Sequence, residues 1–256
     1  MKVLVSFIII LVSIIIIYSN IKSIPLKKNV EIIQLKNYDS VKIINEIQKN
    51  QPIILMNTLT KFNSFETLCF DTLVKLNDNI NLLPKNNLLK KSSKSIYRIG
   101  EYIKSINNND LVLFNDVDFF DNYTFENINE DINRILGNNH IYLKFINIFP
   151  NNSNTPILKN IYDSTYLFIY DGEIMVNLIN PYSNKNLDNH KLIKNNNCHM
   201  VDIADTDKNT LKVIQIIGRT GKIIYIPQGW YYYYTSIKSN IVVTGAGTNI
   251  FKYYLN

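Results

Sequence analysis

Side chains that could hold a metal ion are few and far apart in this chain of 256 residues. The three histidines are His140, His190 and His199, and the two cysteines are Cys69 and Cys198. Cys198 and His199 are followed by Asp202, but neighbouring residues on a strand point to opposite faces. One shared ion would therefore need an irregular loop, and we expect no metal site. The cysteine spacing predicts neither a zinc site nor a disulfide framework, while a single disulfide bridge stays open.

The sequence has no pattern typical of other reaction chemistries or of nucleic-acid binding. A Ser/His/Asp order, a nucleophile elbow and a phosphate-binding glycine loop are all missing from it. The formal charge of +6 comes from lysines scattered along the chain, with the densest group at Lys90, Lys91 and Lys94. Because no basic stripe interleaved with aromatic residues accompanies this group, we expect no nucleic acid as a partner.

The most specific string in the sequence is G-K-I-I-Y-I-P-Q-G-W, from Gly221 to Trp230. A glycine turn leads into an apolar strand, and a corner made by Pro227 and Gly229 leads into an aromatic strand. This string resembles the G-D-x-x-x-I-P-x-G-W-x-H segment of the JmjC and cupin-like hydroxylase family. That family folds as a double-stranded β-helix, and its active members use Fe(II) and 2-oxoglutarate.

Three further stretches match the family in the same order. The string D-G-E-I-M-V-N-L-I-N-P, which includes Gly172 and Pro181, looks like its G-x-K-x-W-x-L-F-P-P strand. Pro52–Leu55 resembles the opening P-V-I-L strand, and 96–106 with 111–114 stands where the family has a helix and a strand. The resemblance covers about Val30 to Phe251. It implies an α+β fold, a jelly-roll barrel of the double-stranded β-helix type with N-terminal helices.

The resemblance also indicates that the metal ligands have been lost. A non-haem iron site needs two histidines and one carboxylate. Counting back from Gly172 without a gap places the family's H-x-D/E pair on Lys159 and Ile161. If the alignment is shifted by two residues, Asp163 takes the carboxylate position, but Ile161 then takes the histidine position. Tyr232 stands at the second histidine, and Ile174 at the lysine that binds 2-oxoglutarate. Isoleucine has no donor atom, lysine is a cation and neutral tyrosine is a poor ligand. We therefore expect no catalytic residue, no metal and no cofactor.

The aromatic strand offers an account of what replaced the metal. Alternation along a strand puts Trp230, Tyr232 and Tyr234 on one face. If Tyr232 takes the inward histidine position, the three rings fill the mouth of the barrel as part of its core. A stacking platform for a ligand is the functional alternative.

The first residues differ in composition from all that follows. Residues 3–18 are apolar apart from two serines and carry no charge, which predicts a transmembrane anchor over residues 1–20. A cleaved signal peptide is the alternative, although no A-x-A-like site follows. Residues 21–29 then form a tether and 30–256 the cupin/JmjC-like domain. Lysines flank the apolar run on both sides, so the side of the membrane stays open, as does glycosylation of Asn122 and Asn151.

Helices are predicted first and strands later. The predicted helices are 39–48, 63–76, 95–106 and 126–136, with buried strands at 53–56 and 111–114. The later strands are predicted at 140–149, 166–170, 174–179, 211–217, 222–226, 230–235 and 240–244.

These observations together favour a membrane-anchored, non-catalytic cupin/JmjC-like module that binds a partner or has a structural role. The bilayer would be a partner through residues 3–18, alongside an unidentified protein or ligand. The alternative is an Fe(II)/2-oxoglutarate-dependent hydroxylase or demethylase-type oxygenase with an atypical metal site; only in that case are Fe(II) and 2-oxoglutarate expected as cofactors.

Overall fold

A computed structural model describes most of the chain. The described residues are 2–21, 30–36, 39–89, 94–122, 126–136, 141–184, 187, 190–195, 198–203 and 210–248. They form a mixed α+β structure in which β-sheet predominates.

The helices are short apart from the first and the last. They are α1 (Lys2–Ile21), α2 (Ser40–Ile47), α3 (Phe70–Leu73), α4 (Ile99–Lys104), α5 (Phe119–Asn122) and α6 (Glu126–Leu136). The strands before residue 140 are β1 (Ile33–Leu35), β2 (Ile53–Leu55), β3 (Asn79–Pro84), β4 (Ser95–Arg98) and β5 (Leu111–Asp116). The later strands are β6 (Ile141–Phe149), β7 (Ile157–Lys159), β8 (Ser164–Asp171), β9 (Glu173–Ile179), β10 (Leu192–Asn195), β11 (Cys198–Val201), β12 (Val213–Arg219), β13 (Ile223–Ile226), β14 (Tyr231–Ser236) and β15 (Asn240–Thr248).

The strands form two sheets. The large sheet has the order β1-β2-β13-β8-β15-β6-β5-β3-β4, and the small sheet has the order β10-β11-β7-β14-β9-β12. From β6 to β9, and again from β12 to β15, the chain alternates between them. Strands β6, β8, β13 and β15 lie in the large sheet, whereas β7, β9, β12 and β14 lie in the small one, together with β10 and β11. The small sheet is therefore completed only by β14 and the large sheet only by β15.

Three apolar clusters correspond to the faces of these two sheets. The cluster between the sheets includes Leu167, Val176, Ile224, Trp230 and Val242. A second cluster joins the outer face of the large sheet to the helices, and a third, smaller one lies on the outer face of the small sheet. Alternation along each strand explains this division, because successive side chains point to opposite faces.

The first predicted helix is confirmed, together with its cap. α2 begins at Ser40, and the side chain of Asp39 accepts a hydrogen bond from the backbone amide of Lys42 at 3.1 Å. A side-chain oxygen at this position satisfies an amide that has no partner within the helix. The predicted helix 126–136 is confirmed as α6 and the strand near residue 53 as β2.

Two other predicted helices are wrong. The segment 63–76 contains only the four residues of α3, because tertiary bonds hold its start in another conformation. The backbone amide of Ser64 donates to the carboxylate of Asp131 at 2.8 Å, and its hydroxyl bonds to that of Tyr170. The segment 95–106 begins as strand β4 and becomes helical only at Ile99. Long-range contacts override local propensity at both places.

The prediction of an N-terminal transmembrane anchor over residues 1–20 is also wrong, and with it the predicted membrane localisation. Within the part of the chain that the structure describes, no helix is long and apolar enough to cross a membrane. A span needs about 20 consecutive apolar residues, and the side chains of α1 are described only for residues 5–14. The predicted tether at 21–29 lies almost entirely outside the described residues.

The later strands were predicted closely, whereas short ones were missed. Each predicted strand from 166–170 onward coincides with a strand of the structure, and 140–149 coincides with β6 from Ile141. β1, β3, β4, β7, β10 and β11 were not predicted, because they are short or flanked by asparagines.

Candidate functional site

A small cavity opens beside the start of β14, where the resemblance places the mouth of the barrel. Its lining consists of Phe145, Leu158, Lys159, Asn160, Tyr162, Thr165, Cys198, His199, Tyr232 and Thr244. The cavity has room for about one water molecule, far below the several hundred Å³ of a ligand pocket.

Strand pairing determines which side chains share the interior with Tyr232. Tyr232 is paired with Leu158 in β7 on one side and with Leu178 in β9 on the other. Residues directly opposite in an antiparallel pair have their side chains on the same face. All three side chains belong to the cluster between the sheets. Leu158 is thus the β7 side chain that faces Tyr232.

Neither Lys159 nor Ile161, the positions assigned to the H-x-D/E pair, is the residue paired with Tyr232, although Lys159 borders the cavity. Lys159 is paired with Tyr231, on the opposite face of β14. Its ammonium lies 5.1 Å from the centroid of the Tyr231 ring, within the range of a cation–π contact. Ile161 is half-buried and is not part of the cavity lining.

Ile174, assigned to the lysine that binds 2-oxoglutarate, lies at the far end of the interior. It is fully buried in the cluster between the sheets and is paired with Ser236. Four residues of β9 separate it from Leu178, the partner of Tyr232, which is about 13 Å along an extended strand. Ile174 and Tyr232 therefore share a face without meeting in one pocket.

Asn160, immediately after β7, was not predicted as a site residue. It is 2 % exposed, and its carboxamide uses both of its ends. The nitrogen Nδ2 donates to the carbonyl oxygens of Ile226 and Pro227, at 2.9 and 3.0 Å. The oxygen Oδ1 accepts from the Tyr162 amide at 3.0 Å and the Thr165 hydroxyl at 2.7 Å. Both donors and both lone pairs of the group are in use.

The backbone of Asn160 binds the same corner. Its amide donates to the carbonyl oxygen of Trp230, and its carbonyl oxygen accepts from the amide of Gly229, both at 2.8 Å. Gly229 has a φ of 80°, a conformation that residues with a Cβ rarely adopt. The Pro227–Trp230 corner is therefore held by hydrogen bonds from both the side chain and the backbone of Asn160.

The aromatic residues of β14 are buried as core. Trp230 and Tyr234 are each 1 % exposed and Tyr232 is 5 % exposed, so their rings offer no open face to a ligand. Tyr234 packs edge-on against Phe149, with ring centroids 5.7 Å apart. Burial raises the pKa of both the Tyr232 and the Tyr234 hydroxyl well above 10. Both phenols therefore remain protonated at neutral pH and are poor metal ligands.

Cys198 and His199 lie on a regular strand. β11 pairs with β7 and β10, so the two side chains point to opposite faces. The Cys198 sulfur accepts a hydrogen bond of 2.8 Å from the Asn115 carboxamide, and burial raises the pKa of its thiol to about 12. Both Cys69 and Cys198 are free thiols, which answers the open question of a bridge.

Iron does not fit the donor set at the mouth. Leu158 offers no donor atom, Asn160 has no donor or acceptor site to spare and Tyr232 is a buried neutral phenol. Among the residues that the structure describes, no group of three or more His, Cys, Asp or Glu side chains is placed to hold a metal ion. His140 lies outside that part of the chain.

The remaining motif residues define turns between strands. Gly172 and Gly221 have φ values of 81° and 87°, at the turns before β9 and β13. Pro181 is buried and begins a short helical turn after β9, where the Asn180 side chain accepts from the Tyr182 amide at 2.9 Å. In these positions Gly172, Gly221 and Pro181 shape turns of the backbone.

No model of a known protein family matches the chain, and no curated protein matches it in sequence.

Proposed function

We propose that this chain is a non-catalytic member of the JmjC and cupin-like family, acting as a binding or structural module. The alternation of strands β6 to β9 and β12 to β15 between two sheets supports the family assignment, because a double-stranded β-helix is built in this way. The G-x-x-x-x-I-P-x-G-W string supports it as well. It begins at the turn before β13 and ends at the corner before β14.

The observation that carries the non-catalytic assignment is the state of Asn160. Next to Tyr232, where the family holds its metal, β7 and the residue after it provide Leu158 and Asn160. The Asn160 oxygen already accepts two hydrogen bonds, and the nitrogen donates two more. Turning the carboxamide toward an ion would leave two buried carbonyl oxygens and two donors without partners, each costing about 1–3 kcal/mol. The Asn160 carboxamide therefore stabilises the fold and does not bind a ligand.

A cavity with room for about one water molecule points to the same conclusion. A co-substrate such as 2-oxoglutarate needs a pocket many times larger and a cation for its carboxylate. The interior position four residues along β9 from the partner of Tyr232 is the apolar Ile174. We therefore expect a partner to bind to the outer surface and the loops of this module rather than to its interior.

Anaerobic titration of the full chain with Fe(II) and 2-oxoglutarate tests the proposal. We expect no stoichiometric iron binding in calorimetry and no succinate release after oxygen is admitted. An active oxygenase assayed in parallel shows that the reagents work. Stoichiometric binding or succinate release would overturn the proposal and support the hydroxylase with an atypical metal site. If iron binds, comparison of His199→Ala with Tyr232→Phe would show which side chain contributes to that site.

A further inference from the structure

A row of basic side chains crosses the outer face of the small sheet. Lys194 in β10 is paired with His199 in β11, and His199 is paired with Lys159 in β7. Directly opposite residues of antiparallel strands have their side chains on one face, so the three stand side by side. Tyr231 continues the row on β14, beyond Lys159.

The two lysines act electrostatically on His199. Burial is the first cause that lowers the pKa of its imidazole, and the charges of Lys194 and Lys159 lower it further. Like charges placed directly opposite in a sheet are destabilising. Within the described residues, the charges acting on this imidazole are thus both positive.

One nitrogen of the His199 imidazole also lacks a hydrogen-bond partner. Its Nε2 atom is buried and makes no hydrogen bond to any described residue. A buried polar atom without a partner costs about 1–3 kcal/mol. The side chains of His199 and Lys159 as a whole are half-buried, and that of Lys194 is exposed.

We propose that the outer face of the small sheet binds a phosphate group between Lys194, His199 and Lys159. A phosphate oxygen would accept a hydrogen bond from His199 Nε2, and the two ammonium groups would flank the anion. Neighbouring strands are about 4.8 Å apart, so the Cα atoms of the two lysines are about 10 Å apart across β11. Lysine side chains of four methylene groups reach the centre of that span from both sides.

The contact with Tyr231 keeps the cation of Lys159 on this face. Its ammonium lies 5.1 Å from the Tyr231 ring centroid, on the side of β7 away from His199, and it would turn toward β11 to meet the anion. The anion would thus have a lysine on each side and the imidazole beneath it. Two ammonium groups match a phosphate dianion better than the single charge of a carboxylate.

This site does not depend on the proposed lack of catalysis. The row lies on the outer face of the small sheet, whereas Tyr232 and Leu158 lie on the inner face. Iron binding in the interior would leave the phosphate site in place, and absence of phosphate binding would leave the non-catalytic assignment in place.

Titration of the full chain with inorganic phosphate, followed by NMR of the imidazole protons, tests the proposal. We expect the His199 resonances to shift saturably, with His190 as the internal reference. Sodium acetate and sodium chloride at matched ionic strength separate phosphate recognition from carboxylate binding and from general screening. Removing one charged hydrogen-bonding partner should weaken phosphate binding by about tenfold or more, in Lys194→Met and in Lys159→Met.

Lys104→Met on the exposed side of α4 is the matched control and should leave the affinity unchanged. Lys194→Arg preserves the charge and should retain most of the binding, which separates a role in the site from a role in folding. A His199 shift equal in phosphate and chloride would overturn the proposal. So would affinities in Lys194→Met and Lys159→Met equal to that of Lys104→Met.

Discussion

The backbone amide of Asn160 donates a hydrogen bond of 2.8 Å to the carbonyl oxygen of Trp230. This bond joins the end of β7 to the start of β14, two strands separated by about 70 residues of sequence. Together with the bonds of the Asn160 carboxamide to Ile226 and Pro227, it ties the end of β7 to the corner between β13 and β14. One residue thus joins β7 to two strands that are far from it in the sequence.

Replacing Asn160 by alanine should destabilise the fold strongly. The substitution removes four side-chain hydrogen bonds from a site that is 2 % exposed. We expect a loss of about 2–4 kcal/mol in the free energy of unfolding, measured by urea denaturation. Asn81→Ala, on the exposed face of β3, is the control and should change stability by less than about 0.5 kcal/mol. Equal effects of the two substitutions would contradict the role assigned to Asn160.

Two tyrosine-to-phenylalanine substitutions should have different effects. The Tyr102 hydroxyl lies within hydrogen-bond distance of the carbonyl oxygens of Leu111, at 3.1 Å, and Ile148, at 3.2 Å. Its removal should cost about 1–3 kcal/mol, because a buried acceptor loses its donor. The Tyr234 hydroxyl is buried without a partner, so Tyr234→Phe should be neutral or stabilising. Thermal unfolding of both variants would show this, and a large loss in Tyr234→Phe would point to a partner for that hydroxyl.

Two glycine-to-alanine substitutions should rank by what the new methyl group meets. Both Gly172 and Gly221 have positive φ, which costs an alanine about 1–2 kcal/mol. At Gly172 the Cβ would lie 2.0 Å from the backbone oxygen of Ser239, whereas at Gly221 it would lie 2.7 Å from a Thr60 methyl group. A side chain can rotate away, but a backbone carbonyl in a tight turn cannot. We expect Gly172→Ala to lower the midpoint of urea unfolding much more than Gly221→Ala; the reverse order would be evidence against this turn geometry.

Stability should fall at alkaline pH. Burial raises the pKa of the Tyr232 and Tyr234 phenols well above 10, and that of Cys198 from 9.0 to about 12. The folded state therefore keeps protons that the unfolded chain has released, so the free energy of unfolding decreases as pH rises. This stabilisation is complete below about pH 8.5 and is lost progressively above it. Urea midpoints between about pH 7 and 11 would show the decrease. Tyr234→Phe should make it shallower, whereas substitution of the exposed Tyr97 by phenylalanine should not.

The sequence predicted the strands of the barrel better than their register. Runs of β-branched and aromatic residues bounded by glycine or proline identified β8, β9 and β12 to β15 correctly, since local pattern and tertiary role agree there. β7 has only three residues and is followed by Asn160, so it carries almost no signal of its own. The position of the H-x-D/E pair was therefore found by counting from Gly172. The count fell on Lys159, whose neighbour Leu158 is the residue that faces Tyr232. A shift of one residue moves a side chain to the opposite face of a sheet.

Asn160 could not have been found by the same reasoning. Asparagine is abundant throughout this chain and mostly indicates loops. What distinguishes Asn160 is its set of long-range partners, of which Ile226 and Pro227 lie more than 60 residues away. Such partners are brought together only by the fold, so no local spacing in the sequence indicates them. The pairing of β7 with β14 was the missing information, and it comes only from the assembled sheet.

A carboxamide neither gains nor loses a proton in the range in which proteins survive. Histidines and carboxylates at the mouth of an oxygenase respond to acid, to chelators and to the supply of metal. The Asn160 carboxamide responds to none of them. The hydrogen bonds that hold the corner between β13 and β14 should therefore be the same in acidic and neutral surroundings and in metal-rich and metal-poor ones.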